Sequence, residues 1–174
     1  MDAFFEILKY TIPALIVFAV VYLMLRKYMQ VEYSRRKYLL YKESQKTTLP
    51  IRLTSYERIV LFLERISPDS LLVRIQDGSM NSLQFHAALL NAIRSEYEHN
   101  VAQQVYISEE AWNVVKNSKE NIVQLINACA AQVSPQDPSY DLAKLILSTY
   151  EANSDSPTMA AIAFLKNEIK NYFT

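Results

Sequence analysis

The sequence predicts an all-α protein with one amino-terminal transmembrane helix that continues into a juxtamembrane helix, followed by a compact bundle of about five to six helices. A charge-free apolar run of sixteen residues occupies positions 10–25. The 174 residues include a single glycine, which argues against tight hairpins and strand-rich folds because these need positive backbone φ at fixed places. Beyond residue 50, apolar residues recur at helical spacing between prolines.

Residues 1–28 are predicted to form the transmembrane helix. The apolar run from Ala3 to Leu25 would reach roughly 33 Å as a helix, close to the thickness of the hydrocarbon core of a bilayer. A cleaved signal peptide is one alternative, but this chain starts with acidic residues and has Arg26 and Lys27 where a small-residue cleavage site would lie. A buried core helix is the other alternative, and the length of the charge-free run favours a span over it.

Residues 29–49 are predicted to be a basic juxtamembrane helix or linker. Residues 26–46 hold seven basic residues against two acidic ones, a net charge of +5, whereas residues 47–174 carry a net charge of −4. The residues expected to contact anionic headgroups of the lipid bilayer are Arg26, Lys27, Arg35, Arg36, Lys37 and Lys42. The alternative is the ordinary basic flank of any tethered protein.

The positions of the basic residues also predict orientation. Lys and Arg beside a span stay on the cytoplasmic side, so we expect a single-pass membrane protein with its amino end outside and residues 26–174 in the cytoplasm. Tyrosines interleaved with basic residues are also found where proteins bind single-stranded nucleic acid. We do not expect nucleic acid as a partner, because the domain that follows is acidic.

Residues 50–174 are predicted to form a cytoplasmic α-helical domain. Thr54, with Glu57 three residues on, has the pattern of a capping box and is expected to begin the first helix of the domain. Pro68 is expected to stop that helix and to start a short one, which Gly78 caps at its carboxyl end.

The third helix of the domain is expected to begin at Asn81 or Ser82 and to end near residue 99. Its inward positions are predicted to be Leu83, Leu90, Ile93 and Tyr97, with Phe85 and Leu89 on a second face.

An extended link is predicted at residues 103–107, before a helix that Ser108 caps. The polar run at residues 116–121 leaves open whether this helix is continuous. Its apolar stripe consists of Trp112, Val115, Ile122, Ile126, Cys129 and Val133.

Two further helices complete the predicted bundle. Ser139 is expected to cap one of them, and Pro157 is expected to be the first residue of the other. Their inward positions are predicted to be Leu142, Leu145, Ile146 and Tyr150 in the first and Ile162, Leu165, Ile169 and Phe173 in the second.

The sequence predicts no catalytic, cofactor-binding or metal-binding residues. One glycine cannot build either common phosphate-binding loop, and two histidines with one distant cysteine do not make a zinc site. His86 is expected at the edge of the core and His99 in solvent. The carboxylate pairs Glu96/Glu98 and Glu109/Glu110 are expected on solvated faces, because their spacing points the members of each pair to different sides of a helix.

Two stretches of the chain resemble a known group of proteins. The run LPIRLTSYERIVLFLERISPDSLLVR and the later YISEEAW look like an uncharacterised family of small Bacteroidota membrane proteins, a resemblance that covers most of the chain. It implies a single amino-terminal span, a linker and a helical domain, and no functional residue. Residues 1–45 also resemble the layout of the peripheral-stalk subunit b of ATP synthases, but beyond Pro50 short helices replace the single long helix of that subunit.

These observations favour a non-catalytic function. The first hypothesis is a membrane-anchored adaptor or accessory subunit of a bacterial inner-membrane complex, with a protein partner. The alternative is a lipid- or small-ligand-binding helical module tethered to the membrane, with its site in an apolar pocket.

Overall fold

The computed structural model describes residues 2–152 and 156–170, and the side chains of these residues other than 2–8, 10 and 14. Within those ranges the chain forms six α-helices and one short 3-10 helix, with no strand, which confirms the all-α prediction. The helices are α1 (Asp2–Ile66), α2 (Pro68–Ile75), α3 (Ser82–Asn100), the 3-10 helix (Val101–Val105), α4 (Glu109–Ala130), α5 (Ser139–Ala152) and α6 (Pro157–Lys170).

The chain divides into two compact units, Met1–Leu49 and Pro50–Thr174. In the first unit, every side chain that the structure describes is exposed except those of Glu32 and Leu49, which are half-buried. The hydrophobic core therefore belongs to the second unit.

α1 is one continuous helix that includes both Pro13 and Pro50. The predicted helix start at Thr54 is wrong, because α1 is already helical well before this residue. The Thr54 hydroxyl donates to the Pro50 carbonyl at 3.0 Å, one turn earlier in the same helix. The Ser55 hydroxyl likewise donates to the Ile51 carbonyl at 2.9 Å. A proline inside a helix lacks the N–H that its turn requires. These two side chains add hydrogen bonds to the turn that follows Pro50.

Gly78 does not cap α2, contrary to the prediction. The helix ends at Ile75, and Gln76 is extended, with its N–H donating to the carbonyl of Leu72 at 2.9 Å. Gly78 has no positive φ. A left-handed residue is not needed here, because the chain after α2 finds its hydrogen bonds elsewhere.

Hydrogen bonds connect the loop after α2 to the loop before α5. The Ser82 N–H donates to the carbonyl of Asp137 at 2.7 Å, and the Ser139 N–H donates to the carbonyl of Met80 at 3.3 Å. The Ser139 hydroxyl donates to the carbonyl of Asp77 at 3.2 Å. Ser139 is the first residue of α5 and not its cap, so the prediction for this residue is wrong by one position.

α3 begins as predicted, with a reciprocal capping box between Asn81 and Gln84. The predicted inward position is confirmed at Ile93 and wrong at Leu83, which is exposed, and the supposed second face also belongs to the core. The buried apolar residues of α3 are Phe85, Leu89 and Ile93. Leu90 and Tyr97 are half-buried beside them.

The segment before α4 is helical rather than extended, because residues 101–105 form the 3-10 helix. The predicted extended link at residues 103–107 is therefore wrong. Ser108 caps α4 as predicted, with its hydroxyl accepting from the Ala111 N–H at 3.0 Å. α4 is unbroken across the polar run, and Ser118 within that run is buried.

The core of the second unit is built from all six α-helices. α4 lies against α3, α5 and α6, and α3 also contacts α2 and α5. The largest fully buried side chains are Tyr56, Phe62, Phe85, Ile59, Leu63, Ile66, Leu71, Leu89, Ile93, Ile122, Ile126 and Leu142. Trp112 and Cys129 are also buried, as predicted, and Ile162 and Leu165 bring α6 into the same cluster.

A cluster of four hydroxyl groups links the junction of α1 and α2 to α5 and the start of α6. The Tyr150 hydroxyl is 3.2 Å from the Ser67 hydroxyl and 3.1 Å from that of Thr158, and it also contacts the Ser156 hydroxyl. Pro157, between the last two, is the first residue of α6 as predicted. The predicted inward position of Phe173 lies outside the described residues.

Candidate functional site

One helix among the described residues is long and apolar enough to cross a membrane. From Thr11 onward, α1 contains an 18-residue window with a mean hydropathy of 1.7, and no part of that window is buried. Its apolar side chains have no cover among the described residues, and a hydrocarbon layer about 30 Å thick would remove such a helix from water.

The six basic residues predicted to contact headgroups all lie on α1 and are exposed. Arg36 also pairs with Glu32 one turn earlier, at 3.2 Å. At about 100° per residue, the six residues are distributed around the whole circumference of the helix. They do not form one face, so their charge surrounds the helix as a collar.

A groove lies between α1 and α3 in the second unit, with a volume of about 360 Å³. We call it the α1–α3 groove. Its lining residues are Arg58, Leu61, Phe62, Arg65, Ser95, Glu96, His99 and Asn100. It combines two guanidinium groups, a carboxylate and an imidazole with an apolar strip.

Glu96 forms ion pairs with two arginines at this groove. One of its carboxylate oxygens, Oε1, accepts from Arg65 Nε at 2.7 Å and from Arg74 Nη1 at 2.7 Å. Arg74 also donates to the carbonyl of Arg65 at 3.0 Å. Burial alone would raise the pKa of Glu96, but the hydrogen bonds and positive charges of Arg74 and Arg65 outweigh it and lower that pKa.

The structure corrects the prediction for Glu96. Its side chain is only 17% exposed and is paired, so it does not lie on a solvated face. Glu98 is exposed, as predicted, and so is His99. Arg58 is exposed and makes no ion pair with any described residue.

A second groove, of about 210 Å³, lies between α2 and α5. We call it the α2–α5 groove. Its lining residues are Pro68, Asp69, Leu72, Val73, Gln76, Tyr140, Ala143, Lys144 and Leu147. Val73 is 82% exposed and Tyr140 is 62% exposed, so apolar side chains at this groove stand in solvent.

The other singled-out residues have structural surroundings. Trp112 stacks on Tyr97 at 5.7 Å between ring centroids, and Lys119 lies 4.4 Å from the centroid of the Tyr97 ring. His86 is half-buried and lies 2.8 Å from the Asn127 side-chain oxygen. Cys129 is buried, with its sulfur 3.7 Å from the Thr149 hydroxyl. Each of these contacts joins neighbouring helices.

The described side chains include no group of three or more His, Cys, Asp or Glu residues that could hold a metal ion. Sequence reasoning missed both grooves. Their residues come from helices far apart in the sequence, and no local pattern marks them.

These features define a class of protein, in which a helix long and apolar enough to span a membrane is joined to a folded all-α unit. Over residues 2–172 the chain matches the family described as "Family of unknown function (DUF7935)", and it belongs to that family. Membership of an uncharacterised family is thus confirmed. No curated protein and no solved structure matches the chain.

Proposed function

We propose that this protein is a non-catalytic adaptor or accessory subunit of a bacterial inner-membrane complex, anchored by α1. The observation that carries the proposal is the α2–α5 groove, where Val73 and Tyr140 expose apolar surface on a folded unit. Apolar grooves between helices commonly receive a segment of a partner protein.

The chemistry of the groove indicates the kind of partner. Leu72, Ala143 and Leu147 give it an apolar floor, and Asp69 and Lys144 supply one charge of each sign at its lining. An amphipathic helix with an apolar stripe between charged residues matches this surface. The proposal requires no cofactor.

Charge and resemblance support the proposed location. The net charge of +5 at residues 26–46 supports a single-pass orientation with the amino end outside and the helical unit in the cytoplasm. The collar of basic residues on α1 would lie close to anionic headgroups in that orientation. The sequence resemblance described above supports a Bacteroidota source for the family.

The adaptor proposal is tested by purifying the tagged full-length protein from membranes in mild detergent and identifying stoichiometric companions by mass spectrometry. Three forms are compared: the native protein, Val73→Asp and Val105→Asp. Val105 is the matched control, because it is 77% exposed and lies on the 3-10 helix, outside the groove.

We expect a companion protein that Val73→Asp loses and Val105→Asp retains. An unpaired carboxylate in an apolar contact costs at least about 2 kcal/mol, which is more than tenfold in affinity. Circular dichroism checks that both variants remain folded. If the native protein purifies alone, or if the two variants behave alike, this groove is not an adaptor surface.

The alternative function, binding of a lipid or small ligand, is favoured by a different feature of the molecule. That feature is the α1–α3 groove, with its charged and apolar lining.

A further inference from the structure

We propose that the α1–α3 groove binds a small amphiphilic oxyanion, meaning a phosphate or carboxylate head on a short apolar body. The proposed site is formed by Arg58, Leu61 and Arg65 on α1 and by His99 on α3.

The charge of the groove favours an anion. Arg58 and Arg65 line it against one carboxylate, that of Glu96, and Arg74 shares that carboxylate from outside the lining. Three guanidinium groups thus face one negative charge, in a part of the chain whose net charge is −4. An anionic ligand would supply the charge that the groove lacks.

The two arginines that line the groove differ in their partners, and this difference indicates where the anionic head lies. Arg65 directs two of its nitrogens, Nε and Nη2, at Glu96, with Nη2 2.7 Å from the same oxygen. Arg58 is exposed and has no ion-pair partner among the described residues, so its fork of donors is available. A guanidinium matches the two oxygens of a carboxylate or phosphate. The head therefore belongs at Arg58, in the groove that His99 also lines.

The space between the arginines provides for the apolar body. Arg58 and Arg65 are seven residues apart on one helix, which is about 10 Å along its axis. Leu61 lies between them and is 56% exposed, with Phe62 buried beside it. The volume of about 360 Å³ is at the small end of ligand pockets, so it suits a small molecule better than a length of acidic peptide.

The test uses the full-length protein in nanodiscs of phosphatidylcholine and isothermal titration calorimetry with three probes. Hexyl phosphate carries both the head and the body, inorganic phosphate carries only the head, and 1-hexanol carries only the body. The variants are Arg58→Gln, Leu61→Gln and the matched control Arg94→Gln. Arg94 is an exposed α3 arginine outside this groove.

We expect hexyl phosphate to bind more tightly than either partial probe. Arg58→Gln should raise its Kd about tenfold or more, and Arg94→Gln should change it by less than about twofold. Leu61→Gln should weaken hexyl phosphate and leave inorganic phosphate unchanged. Equal effects of Arg58→Gln and Arg94→Gln, or no binding of hexyl phosphate up to about 10 mM, would overturn the proposal.

A second arm identifies the natural source of the anion. If phosphatidic acid in the nanodisc displaces hexyl phosphate from the native protein, the head belongs to a membrane lipid. If it does not, while hexyl phosphate still binds, the ligand is a soluble metabolite. The result is independent of the adaptor proposal, since the two grooves share no lining residue.

Discussion

Glu96 shows how much one side chain can contribute when its partners come from distant parts of the chain. Its Oε1 atom meets Arg65 and Arg74, which lie 31 and 22 residues away in sequence. Spacing along α3 gives no sign of either contact, and so the prediction that Glu96 is solvated was wrong. Glu98, two residues on, has no ion-pair partner among the residues that the structure describes, and it is exposed.

We expect Glu96→Gln to lower the free energy of unfolding by about 1–2 kcal/mol at pH 7, because two arginines would lose their charged acceptor. The pKa of Glu96 is lowered in the folded protein from its ordinary value of 4.5. Its stabilising effect is therefore fully present above that value and is lost as the pH falls below it. The difference between variant and native protein should shrink towards pH 3.

The measurement is urea unfolding of the full chain in detergent between pH 7 and pH 3, followed by the fluorescence of the buried Trp112. Glu98→Gln is the matched control, and its unfolding should follow that of the native protein. A loss for Glu96→Gln that stays constant down to pH 3 would contradict the role of its charge.

At the scale of elements, helix starts were predictable where the signal is local. Asn81 with Gln84 and Ser108 with Ala111 form caps within four residues of chain, and both were found where the sequence indicated. The predictions of helix ends are wrong where contacts with a distant segment determine the local structure. The loop after α2 bonds to residues 135–139 and therefore needs no cap at Gly78.

The candidate sites also differ in whether a local sequence pattern reveals them. The basic collar on α1 can be recognised from composition, because it is a run of charges in one stretch. The two grooves cannot, since each needs two helices brought together from separate parts of the sequence. Within α3 the inward position of Ile93 is confirmed, but Leu83 is exposed and the stripe through Phe85 and Leu89 is fully buried.

α4 contains a local weakness that a substitution should remove. The Ser118 hydroxyl is buried and has no hydrogen-bond partner among the described residues. We expect Ser118→Ala to raise the free energy of unfolding by about 0.5–1 kcal/mol more than Ser148→Ala does, because only the first removes an unsatisfied buried group. Ser148 is exposed on α5. Both serines lie inside helices, so the two variants share the gain in helix propensity. Urea unfolding followed by Trp112 fluorescence measures the difference, and a destabilising Ser118→Ala would mean that the hydroxyl is satisfied.

At the scale of the whole molecule, charge and apolar surface are separated along the chain. The first unit holds the exposed apolar helix and the basic collar, and the second holds the core and an excess of acidic residues. This separation is the basis for the proposed orientation, because positive charge beside a span is retained in the cytoplasm.

The orientation predicts which ends of the chain a membrane-impermeant maleimide reaches in intact spheroplasts. We expect labelling of Asp2→Cys and no labelling of Lys166→Cys until the membrane is permeabilised. Lys166 is exposed on α6, and the native Cys129 is buried, so the native protein supplies the background. Labelling of Lys166→Cys from outside would contradict the proposed orientation. Release of the protein from membranes by a carbonate wash would contradict the proposed anchor.

The hydroxyl cluster has a consequence for how the protein is made. Ser67 and Tyr150 are 83 residues apart, and the remaining two hydroxyls belong to the start of α6, the helix that covers α4. A ribosome adds about 5–20 residues per second, so residues 131–170 follow α4 by about 2–8 s. During that interval α4 lacks the cover that α5 and α6 provide, while α1 is already complete. Under the proposed anchoring, α1 would enter the bilayer before the helical unit can close, and this interval is when chaperones have most to bind.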